Sequence, residues 1–335
     1  MFNPKLLILI TFFISTLFCS CKSSSTKVKI DSAFEILDDE AYKIFSPSAQ
    51  IEVLDSGFTW TEGPLWLNET KQLLFNDIPP NKTFSWSEEE GTKVYLDSSG
   101  YTSDITREGE AGANGLLLNS DGQLVLCQHG DRRMAIMDAP IDNPQSNFKT
   151  IVDNYQGKRF SSPNDAVFSK AGNLYFTDPP YGLASPELQE ISYNGVYRYS
   201  TKGSISVIDS TLTRPNGIAF SPDEKTLYVA VSDPQKAIWM CYEIDDKTGN
   251  YTNKKVFFDA TEYAKTEKGL PDGLKVNDQG YIFASGPGGI WVFNPSGKAI
   301  ARIKTGQATS NCAFGSSQDI LYMTADDYLM RVKFK

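Results

Sequence analysis

Six stretches of this 335-residue chain follow one plan, repeating at roughly 50 residues over most of its length. Each opens with a small polar pair and continues as an apolar-alternating run. It then turns through Asn, Asp, Ser or Gly and returns as a second alternating run. The stretches read EGPLWLNETKQLLFNDI at 62–78, NGLLLNSDGQLVLCQHG at 114–130 and NDAVFSKAGNLYFTDP at 164–179. NGIAFSPDEKTLYVAVSD follows at 216–233, DGLKVNDQGYIFASG at 272–286 and NCAFGSSQDILYMTAD at 311–326. Alternation of period two marks half-buried strands, and the polar turns mark hairpins. A step near 50 residues leaves room for four strands per repeat, the blade of a propeller. A 3.6-residue helical period is absent. The chain is expected to be all-β, a six-bladed β-propeller.

The last repeat has room for only three strands before Lys335. The run Ile51 to Leu54, ahead of the first opening, is expected to supply the fourth, closing the ring and removing two exposed sheet edges. Residues 49–335 then form the propeller, with 21–48 as a tether and N-terminal extension outside it. The first 20 residues have a short cationic start, an apolar run from Leu6 to Phe18, and Ser20 before Cys21. That is a secretory signal, too short to cross a bilayer as a helix, which takes roughly 20 apolar residues. A cysteine after a small residue is where a bacterial lipoprotein is lipidated. Cys21 is therefore expected to carry lipid, with the Ser-rich stretch from Lys22 to Lys29 as a flexible spacer. The protein is then exported and anchored to a bacterial membrane, in the periplasm or at the cell surface.

The net charge of −9 and the lack of any basic stripe exclude nucleic acid as a partner. Cys127, Cys241 and Cys312 sit in or beside apolar runs and read as small buried hydrophobes, with one disulfide left open.

Aligning the six openings produces a column of Glu62, Asn114, Asn164, Asn216, Asp272 and Asn311. Inner strands line the channel of a propeller, so these side chains converge at one mouth, and each carries an oxygen. Hard cations such as Ca²⁺ take six to eight oxygen ligands. The column has no His or Cys, which argues against zinc as the preferred ion; Ca²⁺ is expected, with Mg²⁺, Mn²⁺ and Zn²⁺ left open. The second strands return to the same mouth and end at Asp77, His129, Asp178, Asp233, Ser285 and Asp326. His129 is the only histidine, and a neutral imidazole is a natural general base. Asp272 and Asp165 are alternative bases. Arg132 and Arg133 follow His129 and suit an anionic or hydroxylated substrate. Tyr181, in the loop Pro179-Pro180-Tyr181-Gly182, is placed to cover the mouth.

With Glu62-Gly63-Pro64 and Trp66, Ser162-Pro163-Asn164-Asp165, Pro215-Asn216-Gly217 and Pro271-Asp272-Gly273, residues 50–335 resemble the gluconolactonase, senescence-marker-protein and luciferin-regenerating-enzyme family, and more distantly the paraoxonases. Tyr175-Phe176-Thr177-Asp178-Pro179-Pro180-Tyr181-Gly182 resembles the bacterial gluconolactonases in particular. The resemblance implies a six-bladed propeller with one catalytic divalent ion on Glu62, Asn164, Asn216 and Asp272. Asn114 and His129 would then lie in the substrate pocket, with Asp165, Arg133 and Tyr181 as further substrate contacts. The expected activity is hydrolysis of a sugar lactone by water, the ion polarising the carbonyl. Two rivals stand beside it: a phosphotriesterase or arylesterase on the same ion, and a non-catalytic propeller that binds sugar or protein. Strictosidine-synthase-like chemistry shares the fold but has no use for the acids at 62 and 272.

Overall fold

The computed structural model describes residues 33–46 and 48–334. Six small antiparallel sheets stand around a central axis as a six-bladed β-propeller. The first blade is Thr61–Leu67, Gln72–Asp77, Lys82–Ser87 and Gly91–Leu96; the second is Ala113–Leu118, Leu124–Gln128, Arg133–Met137 and Phe148–Val152. The third is Ala166–Phe168, Leu174–Asp178, Gly195–Tyr199 and Ile205–Asp209, and the fourth is Pro215–Phe220, Thr226–Asp233, Lys236–Asp245 and Asn250–Asp259. The fifth has Leu274–Val276, Ile282–Gly286, Gly289–Phe293 and Ala299–Ile303. The sixth has Thr309–Phe314, Ile320–Ala325 and Tyr328–Lys333, and Ile51–Ser56 completes it from the other end of the propeller. The pairing is antiparallel, with Ile51 opposite Val332 and Glu52 opposite Arg331.

Burial decides which strand goes where. Second strands such as Leu124–Gln128, Leu174–Asp178 and Ile282–Gly286 are buried along their whole length, because neighbouring blades cover both faces. Outer strands such as Gly91–Leu96 and Asn250–Asp259 are largely solvated. Aromatic rings fill the wedges between blades. Trp66 stacks on Tyr322 at 5.2 Å between the first and sixth, and Trp239 meets Trp291 and Phe293 between the fourth and fifth. The three cysteines Cys127, Cys241 and Cys312 are buried and unpaired. No helix among the described residues is long and apolar enough to cross a membrane.

Residues 33–46, expected to lie outside the propeller proper as an extension, add to the outer edge of the fifth blade. Phe34–Ile36 pairs with Ala299–Ile303 as a fifth strand on the fifth blade. A short 3-10 helix, Asp39–Lys43, follows, its Glu40 carboxylate accepting from Tyr281 and Asn294. Phe45 then fills a gap between the fifth and sixth blades, with its ring 5.3 Å from Phe34 and 5.1 Å from Phe334. The physical reason is apolar surface: the outer faces of these two blades would otherwise leave Phe283 and Phe334 open to water. The signal segment and Cys21 lie outside the described residues.

Phe45→Ala is expected to destabilise the protein by about 3 kcal/mol, the usual loss for a buried phenylalanine. Tyr42→Ala, on the exposed side of the same segment, should stay within about 0.5 kcal/mol of wild type. Urea unfolding curves measure both. Equal stabilities would mean that the segment is not part of the fold.

Candidate functional site

The blade openings meet at the axis because neighbouring blades hydrogen-bond to one another there. Asn76 Nδ2 donates to the Asn114 carbonyl at 2.6 Å, and the Gly115 N–H donates to the Asn164 carbonyl at 2.8 Å. Thr177 Oγ1 donates to the Asn216 carbonyl at 2.7 Å, and the Ser232 hydroxyl donates to the Pro271 carbonyl. Ser285 Oγ reaches the Ser310 carbonyl at 2.8 Å, and Ser310 Oγ reaches the Thr61 carbonyl at 2.7 Å. Every junction around the ring is thereby tied. The approach is close enough to exclude a side chain. A Cβ on Gly63, whose φ is +56°, would lie 1.9 Å from the Asn114 carbonyl oxygen, and one on Gly217 would lie 2.1 Å from that of Asp272. These glycines answer to blade contact, not only to turn geometry.

Within the ring lies a cavity of about 480 Å³. Glu62, Asn114, Asn164, Asn216 and Asp272 line it, with Trp60, Glu110, Tyr181, Arg214, Ser232 and Glu267 among the remaining wall residues. The Tyr181 hydroxyl lies beside the Ser232 hydroxyl and the Asn216 amide. Asn114 Oδ1, Asn164 Oδ1 and Asp272 Oδ1 are buried with no hydrogen-bond partner in the protein. Each such orphan costs on the order of 1–3 kcal/mol. Three around one space call for donors or positive charge that the protein itself does not supply there.

Electrostatics point the same way. Burial, then repulsion from Asp165, pushes the Glu62 carboxyl well above the usual carboxylate range, against the pull of the Gly63 N–H. Burial likewise raises Asp272, with the charges of Glu62, Asp165 and Glu110 adding to it. Among the described residues no three His, Cys, Asp or Glu side chains form a metal cluster. The donor set is two carboxylates with neutral amide oxygens, which fits a hard dication better than zinc.

Four expected residues sit elsewhere than the sequence alone suggested. Asn311 does not present an oxygen to the ring. Its Oδ1 accepts from the Cys312 N–H at 2.9 Å and from Lys275 Nζ at 3.3 Å, so its Nδ2 donates to Glu62 Oε2 at 3.3 Å. Asp165 does not line the cavity: Oδ1 accepts from the Ala166 N–H, and Oδ2 lies 3.8 Å from Lys275 Nζ and 3.5 Å from Asn311 Nδ2. Arg133 is not a cavity residue either. It is held on its own blade by Gln128, Thr150 and Asp131 because it faces outward from the third strand. His129 is wholly buried behind Glu110, with Nδ1 2.9 Å from Glu110 Oε2. Two other strand ends have a structural role: Asp77 accepts the N–H groups of Thr59 and Trp60, and Asp178 those of Ser161 and Ser162. Glu110, Arg214 and Trp60 escaped the sequence analysis. Glu110 lies in a connection between blades, outside the repeat that made the ring visible.

Residues 60–327 match the SMP-30/Gluconolactonase/LRE-like region. The chain belongs to this family. It is 40% identical over 302 residues to a gluconolactonase of Zymomonas mobilis, covering 87% of this chain and 83% of that one. The solved structure of a gluconolactonase from Xanthomonas campestris superposes with a TM-score of 0.77 at 29% identity, covering 90% of this chain and 95% of that one. A structure from Agrobacterium tumefaciens titled as a calcium-binding protein, regucalcin, has a TM-score of 0.65 at 20% identity, covering 84% and 94%, and shares the fold.

The raised carboxyls have a consequence for stability in chelator-treated protein. The folded chain keeps protons on Glu62 and Asp272 that the unfolded chain releases, so stability falls as pH rises from the ordinary carboxylate range toward and past neutrality. Glu62→Gln removes one contributor. Its melting temperature in chelator should match wild type near pH 4 and exceed it by a growing margin at higher pH. Parallel melting curves from pH 4 to 9 would contradict this electrostatic account.

Proposed function

We propose that this chain is a divalent-cation-dependent hydrolase that opens a sugar lactone, with Ca²⁺ as the preferred ion. The observation that carries the reading is the set of unpartnered oxygens of Asn114, Asn164 and Asp272, walling one cavity with the raised carboxyl of Glu62. The likeness to gluconolactonases supports the reaction class, since lactone opening is what their names state.

Glu62, Asn164, Asn216 and Asp272 are the residues that would hold the ion. When bound there, a dication supplies Lewis-acid polarisation of an ester carbonyl. The protein does the rest. Asn114, with its free amide oxygen aimed into the cavity, receives a hydroxyl of the substrate. Tyr181 and Trp60 give apolar faces against which a sugar ring lies, and Arg214 offers donors at the rim. The cavity volume suits a monosaccharide-sized ligand. Attack by water without a covalent intermediate fits the wall, which offers the aliphatic hydroxyls of Ser232 and Thr309 but no cysteine, and the Thr309 hydroxyl is paired with that of Thr305. Ser232 is occupied in the ring, donating to the Pro271 carbonyl. Export and lipidation at Cys21 belong to the same proposal and place the reaction outside the cytoplasm.

Purified protein should turn over members of a panel of aldonolactones when supplied with Ca²⁺, and chelator should abolish the activity. Asp272→Ala is expected to lose Ca²⁺ binding in calorimetry and at least about 100-fold in kcat/KM, in line with removing a residue that holds charge in the transition state. Phosphotriesters and aryl esters run beside the lactones test the rival chemistry. Turnover of those esters with none of the lactones would replace this reading.

A further inference from the structure

We propose that Glu110 is the catalytic carboxylate that takes the proton from the attacking water, and that His129 is the positioning residue behind it. The proposal rests on the lactonase reading above.

The geometry separates the two roles. Glu110 lines the cavity, and its side chain is 38% exposed, so water and substrate can reach it. His129 is completely buried and is not part of the cavity wall, so it cannot touch a substrate in this arrangement. Its Nδ1 is 2.9 Å from Glu110 Oε2, a hydrogen bond that fixes where the carboxylate points. His129 Nε2 is buried without a partner. Nothing on that side competes for the ring, and the Nδ1–H tautomer is the one that can donate to Glu110.

The surroundings hold both groups still. The Arg107 guanidinium, from the loop that carries Glu110, donates to the carbonyls of Gly130 and Gly182. That clasp joins the connection between the first two blades to the end of the second strand and to the loop of Tyr181. Gly182 lies against His129 so tightly that a Cβ there would be 2.9 Å from the His129 Cβ and 2.7 Å from that of Ser162. The base of the His129 side chain is therefore packed against this loop. Of the other candidates, Asp272 belongs to the cation ring, and Asp165 lies outside the cavity wall beside Lys275.

The step balances without a further reagent. The water oxygen forms a bond to the lactone carbonyl carbon while its proton moves to Glu110. The ring C–O bond then breaks, and the proton passes from Glu110 to the departing ring oxygen. The product is the open hydroxy acid, and the Glu110 carboxylate is restored.

The test compares wild type with Glu110→Gln, Glu110→Ala, His129→Asn and His129→Leu on the best lactone, with Ca²⁺ affinity measured by calorimetry for each. Glu110→Gln is expected to lose about 10²–10⁴ in kcat, the usual contribution of a general base, with Ca²⁺ affinity changed far less than kcat. Added formate or acetate should restore part of the activity of Glu110→Ala, because a small carboxylate can enter the space left. His129→Asn keeps an N–H donor near the Nδ1 position and should stay within about ten-fold of wild type. His129→Leu should fall below it by about 10–100-fold in kcat with KM little changed, as when a supporting hydrogen bond is removed. The proposal is overturned if active wild type is matched within ten-fold by Glu110→Gln, if Ca²⁺ affinity falls as steeply as kcat, or if formate restores nothing. The positioning role is overturned if His129→Asn is as impaired as His129→Leu. A wild type that opens no lactone removes the lactonase reading itself, and this proposal with it.

Discussion

The site depends on how closely the six inner strands approach one another. Side-chain hydroxyls, amides and backbone N–H groups hand one hydrogen bond across every blade junction, each to a carbonyl of the next blade. These bonds form in a buried region, where an unpaired carbonyl is costly, so they fix the angular position of each blade. The ring residues project from the same few positions. Their convergence therefore follows from how the propeller closes. Gly63 and Gly217 belong to this constraint, since any side chain there would push neighbouring blades apart.

Packing acidic and amide groups together under such closure creates a standing electrostatic cost. Two carboxyls at the ring are pushed toward their neutral forms, and three oxygens lack donors. Next to them, Lys275 and Asn311 partly offset the charge of Asp165 and keep Glu62 oriented. A fold that needed only stability would replace these groups with apolar ones, since buried charge seldom stabilises. The arrangement supports the cation site proposed above. At the opposite mouth the inner strands present Leu65, Leu117, Val167, Val276 and Phe314 together with Lys275.

Much of this was legible before any coordinates. The repeat of paired alternating runs identified the blades, and the run beginning at Ile51 was correctly expected to close the sixth. The ring of Glu62, Asn114, Asn164, Asn216 and Asp272 stood out because a repeating fold places equivalent positions at equivalent points around an axis. The same logic overreached at Asn311, where a shared column position concealed an amide turned the other way by the Cys312 N–H and Lys275. It also overreached at His129 and Arg133, whose nearness in sequence to the strand end said nothing about which side of the blade they face.

Alternation, turn residues and repeat spacing are local properties of a chain, and they determined the strands, their number and the ring of oxygens. What only the tertiary structure decided are the contacts between segments far apart in sequence. Residues 33–46 cover the fifth and sixth blades because those blades leave aromatic surface open. Glu110 reaches the cavity because Arg107 clasps its loop to Gly130 and Gly182. His129 stands behind it, hydrogen-bonded to its carboxylate and packed against the loop around Gly182. Such contacts depend on through-space distance across blade junctions, and no periodicity along the chain encodes that distance.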